Sequence, residues 1–107
     1  MPSPTCTKIH VTATDNELYI LASSDPVGSQ EICHIKSGYG QPVDYSIVPA
    51  GCLPRGAYTL IIVGINWGGP QAFVVTLTWS TGNPTVYTAP TTAPVGATWN
   101  VAVPILV

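Results

Sequence analysis

Apolar residues return at every second position along nearly the whole chain, a period that suits the two faces of a β-strand and not the 3.6-residue turn of a helix. Thr7, Ile9, Val11 and Ala13 alternate with Lys8, His10 and Thr12 as far as the turn formers Asp15 and Asn16. Leu18, Ile20 and Ala22 resume the pattern, so residues 6–22 read as a hairpin. A third strand is expected at 30–37, and a short fourth at 43–47 with Asp44 and Ser46 facing outward. Residues 57–66, dense in β-branched and aromatic side chains, read as a central strand covered on both faces. Phe73, Val75, Leu77 and Trp79 define a sixth strand, residues 85–89 a seventh, and Trp99, Val101 and Val103 an eighth. Pro104 has no N–H for a ladder, which makes the last strand an edge or a bulged one.

Between these segments lie Gly, Pro, Asn and Asp clusters at 23–28, 38–42, 49–56, 67–70 and 90–96. With 10 Gly and 11 Pro among 107 residues and no helical segment, the expected fold is all-β: an antiparallel β-sandwich of about eight short strands, jelly-roll or Ig-like. No linker or repeat divides it, so residues 1–107 form a single domain. Charged residues are 7% of the chain against a usual figure of about 25%, but 46% is hydrophobic, which separates it from disordered sequences.

All charged side chains lie between Lys8 and Arg55; from Gly56 onward there is no Asp, Glu, Lys, Arg or His. Acid–base catalysis, hard-metal binding and phosphate recognition all need such groups, so the C-terminal half offers nothing for them. In the N-terminal half the acids Asp15, Glu17, Asp25, Glu31 and Asp44 are mostly next to turns and read as solvated. His10 and His34 lack the spacing of a metal pair; Asp44 or Glu31 would be the third ligand if they met. Cys33 has His34 beside it, but neighbours in a strand point to opposite faces. Cys6, Cys33 and Cys52 contain no C-x-x-C and read as free thiols, the alternative being one bridge, between a pair the sequence does not select, and one leftover thiol. Three basic residues make no nucleic-acid footprint, and Gly38-Tyr39-Gly40 sits in a turn with no helix behind it. The expectation is a protein with no catalytic residues, no metal and no cofactor.

Residues 58–65, the most apolar stretch, are far short of the roughly 20 needed for a membrane helix, and Met1-Pro2-Ser3-Pro4 is not a signal leader. A cytoplasmic protein, or one released without a signal peptide, is therefore expected, with no transmembrane segment and no nucleic acid among its partners. The remaining chemistry is neutral. Asn66-Trp67-Gly68-Gly69-Pro70-Gln71 sets a large aromatic among amides and glycines, the combination that stacks on a pyranose and exchanges hydrogen bonds with its hydroxyls. Tyr39, Tyr87 near Asn83, and Trp99 beside Asn100 extend the set. The candidate ligand-binding residues are thus Asn66, Trp67, Gly68, Gln71, Tyr39, Tyr87, Asn83, Trp99 and Asn100, and the expected function is metal-independent, lectin-like binding of a neutral glycan. The alternative is a self-assembling structural protein, because β proteins normally use charge to keep sheet edges apart and the C-terminal half has none. A homo-oligomer burying the face of Val74, Thr76 and Thr78, or the tail Ile105-Leu106-Val107, is expected under either reading.

Overall fold

A computed structural model describes residues 4–24, 28–37 and 41–107. These form seven strands, β1 (Cys6–Ser24), β2 (Gly28–Ser37), β3 (Tyr45–Ile47), β4 (Ala57–Asn66), β5 (Ala72–Trp79), β6 (Thr85–Thr88) and β7 (Gly96–Leu106), with one 3-10 turn at Pro49–Gly51. Every pairing is antiparallel. The strands make a single sheet that curls into a half-barrel, in the order β6-β5-β1-β4-β7, with β2 and β3 also on β1.

The all-β, antiparallel expectation holds, and the strand count differs for one physical reason. Residues 6–22 do not turn back as a hairpin; they lie within the 19-residue strand β1. Its first half pairs with β3 and β5 and its second half with β2 and β4, so one strand runs through both halves of the curled sheet. A bulge between Val11 and Ala13 adds a residue to β1. An extra residue reverses which face the following side chains meet. The buried positions accordingly move from Ile9 and Val11 to Thr14, Leu18, Ile20 and Ala22. That change of phase is what imitates a hairpin turn in the sequence.

Inward-facing residues of both halves close the core: Ile9, Val11, Phe73, Val75 and Leu77 from one, Leu18, Ile20, Leu60, Ile62 and Ile105 from the other. Each such aliphatic contributes on the order of 1.5–3 kcal/mol by leaving water. β4 is internal and has the bounds its sequence indicates, yet only one of its faces is fully covered; Ile61, Val63 and Ile65 remain half-buried on the outer side. β7 ends the sheet order, the edge placement being one of the two that Pro104 allows. The breaks expected at 25–27 and 38–40 fall outside the described residues, and among the described residues no helix is long and apolar enough to cross a membrane.

Candidate functional site

The outer face of the sheet carries a cluster built where β1 passes from one half of the fold to the other. Glu17 and Tyr19 share that face because they are two apart in β1. The β1–β2 register sets His34 opposite Tyr19 and Lys36 opposite Glu17. Tyr19 and His34 stack with ring centroids 4.0 Å apart and planes 11° from parallel. Trp67, the first residue after β4, lies over the same place.

Glu17 is the hub. Its Oε1 accepts the indole N–H of Trp67 at 2.9 Å, and its Oε2 accepts the Tyr19 hydroxyl at 3.0 Å and the Nε2–H of His34. The Trp67 bond first, then that from His34, with smaller help from Tyr19 and the charge of Lys36, hold the carboxyl down to about 2. The same bond raises the Tyr19 hydroxyl, since a phenol donating to a carboxylate resists losing its proton. Glu17 is only 7% exposed although it faces outward, because these partners cover it.

Trp67 is fixed twice. Its backbone N–H donates to Asn16 Oδ1 at 2.7 Å while its ring N–H is held by Glu17, and the residue remains 60% exposed. Asn66 and Gln71 hold the base of the loop. The buried Asn66 amide donates to Gly69 at 3.0 Å and to Ala93 at 3.2 Å, and its oxygen accepts the Gly68 N–H at 3.2 Å. Gly69 turns the chain at φ 71°, a conformation that favours glycine. Gln71 donates to Pro90 at 2.6 Å and accepts from Thr98, binding the loop to the 89–96 connection. Beside the indole is an open hollow of about 400 Å³ lined by Asn16, Glu17, Lys36, Ser37 and Trp67.

Of the sequence candidates, Asn66, Trp67, Gly68 and Gln71 come together in and around this loop, with Trp67 and Gly68 exposed and the two amides buried beneath them. Trp99 is 8% exposed and stacks on Phe73, centroids 5.5 Å apart, in the core. Asn100 is exposed on β7 opposite Val63, Tyr87 is half-buried on β6 opposite Val75, and Asn83 is exposed in the turn before β6. Tyr39 lies outside the described residues. Glu17, Tyr19, His34, Asn16 and Lys36 were not among the candidates; the i, i+2 spacing of Glu17 and Tyr19 signals them once β1 is read through residues 15–16.

The other chemistry-bearing groups lie apart. His10 pairs with exposed Asp44 at 2.6 Å, not with His34, and among the described residues no three potential ligands converge on a metal position. Burial raises all three thiols, Cys33 to about 11. A second hollow of about 360 Å³, between Trp79 and Thr81 on one side and Pro104, Ile105 and Leu106 on the other, is lined without any ionisable side chain. Comparison with protein-family models, curated proteins and solved structures gives no match for this chain.

Proposed function

We propose that the protein binds a neutral glycan, without catalysis and without metal, at the outer-face site built around Trp67. The observation that carries this reading is the double anchoring of an exposed indole, by Asn16 at its backbone and Glu17 at its ring. An aromatic face held still before the ligand arrives stacks on the apolar side of a sugar at little cost in conformational entropy. Asn16, Lys36 and Ser37 around the hollow supply the donors and acceptors that sugar hydroxyls need. Glu17 and Lys36 oppose one another across the β1–β2 ladder, so their charges offset and the surface suits a neutral ligand. Binding without catalysis is supported by Glu17 being committed to three donors and held far below neutrality, and by thiols raised away from the thiolate.

A glycan array probed in the presence and absence of EDTA, with wild type and Trp67→Ala, tests this. Wild type should retain a defined neutral glycan in EDTA, and the variant should lose about tenfold or more in affinity while keeping its fold. An array with no wild-type binding, or equal binding by Trp67→Ala, would sink the reading.

A second reading, assembly through the uncharged C-terminal half, is favoured by the long and uncharged free edge of β7.

A further inference from the structure

Among the described residues four strands have a free edge: β2, β3, β6 and β7. β3 and β6 are only 3 and 4 residues long, and β2 carries Glu31, His34 and Lys36. Short length and charge are the usual means by which an edge is kept from pairing. β7 is 11 residues long, uncharged, and has Pro104 alone against it.

The backbone of β7 reveals which groups are unpaired. Gly56 and Val107 exchange both hydrogen bonds, Gly56 N–H to Val107 at 3.0 Å and Val107 N–H to Gly56 at 2.8 Å. Hydrogen-bonded pairs alternate along an antiparallel ladder. In the observed register Ile105, Val103, Val101 and Trp99 therefore bond to β4, while Pro104, Ala102 and Asn100 turn their peptide groups to the free edge. These last three residues are also exposed in their side chains. Asn100 and Ala102 thus offer complete N–H and C=O pairs to a further strand, and Pro104 offers a carbonyl only.

We infer that β7 pairs with β7 of a second copy of this chain, antiparallel about a two-fold axis at Val101. This rests on the assembly reading and gives it a strand and a register. Centred there, Asn100 lies opposite the partner's Ala102 and the converse, and both pairings exchange two bonds. Pro104 falls opposite the partner's Thr98, at the bulge where β7 loses regular register with β4, so its missing donor leaves no central carbonyl unpaired. Centring on Ala102 would instead set Pro104 against Asn100 and orphan an acceptor. No charge opposes any other, since neither β4 nor β7 carries one. The axis stands perpendicular to the sheet and keeps both outer faces on one side, so the dimer presents two Trp67 sites in the same direction.

The test is solution mass across a concentration series for the full chain and for Ala102→Pro, which removes an outward N–H without touching the β4–β7 ladder. Alongside it, Val101→Cys in a Cys52→Ser background is oxidised; Cys6 and Cys33 are buried. Opposed residues of a non-hydrogen-bonded pair are about 4.5 Å apart at Cα, within disulfide reach. The inference expects a wild-type dimer, a monomeric and folded Ala102→Pro, and a disulfide-linked Val101→Cys dimer. A dimer that survives Ala102→Pro and yields no crosslink overturns the β7 register and leaves assembly through another surface. A monomer at every concentration overturns both.

Discussion

The Trp67 indole N–H donates to Glu17 Oε1 at 2.9 Å, joining a loop residue after β4 to the middle of β1 across fifty positions of sequence. Glu17 thereby orients the ring that the proposed ligand would meet. Trp67→Phe keeps an aromatic face and loses the tether, so glycan affinity should fall less than in Trp67→Ala, by about three- to tenfold. Glu17→Gln should weaken binding in the same direction without touching the indole. Titration calorimetry of the three variants checks the ranking.

Acid should weaken the fold through Glu17. Its native carboxyl is held to about 2 against an ordinary 4.5, so its contribution is fully present above 4.5 and is lost as pH falls towards 2. Melting temperature plotted from pH 6 to pH 2 should decline across that window, and the decline should flatten in Glu17→Gln.

Asp15 should act with the opposite sign. Both its carboxyl oxygens are buried with no hydrogen-bond partner among the described residues, and burial pushes the carboxyl above its ordinary range by disfavouring the charged form. A raised carboxyl favours folding while protonated and costs stability once pH passes its native value. Asp15→Asn should therefore be more stable than wild type at pH 7, by about 1 kcal/mol, and no more stable at pH 3; urea denaturation at the two pH values decides it.

Gly64 in β4 faces the Phe73 ring so closely that an added Cβ would stand 2.8 Å from it. Because Phe73 is itself 1% exposed and stacked on Trp99, the ring has little room to yield. Gly64→Ala should cost about 1–3 kcal/mol in thermal or urea unfolding.

Much of this fold is legible residue by residue. β4 is bounded by its β-branched run, and Pro104 narrows the last strand to an edge or a bulged one, because both depend on local chemistry. The continuity of β1 through Asp15-Asn16 is not legible in that way: a bulge at Val11/Ala13 shifts the buried phase by one residue, and in sequence a phase shift followed by turn formers looks like a hairpin. The candidate site divides along the same line. Trp67 stands out because Asn66 precedes it and two glycines follow, whereas His34 meets Glu17 only through a cross-strand register that alternation alone does not specify. Asn66 and Gln71 lie near Trp67 as its neighbours in the chain, but their amides are turned to the backbone beneath the loop.

On the proposed reading a neutral sugar sits on the Trp67 face. The most direct measurement follows the three indole N–H resonances of the ¹⁵N-labelled protein while neutral oligosaccharides are added. The Trp67 resonance should shift and saturate while those of Trp79, bonded to Thr85, and Trp99, stacked on Phe73, stay in place. A sugar that binds without moving the Trp67 resonance, or no binding by any neutral oligosaccharide, would contradict it.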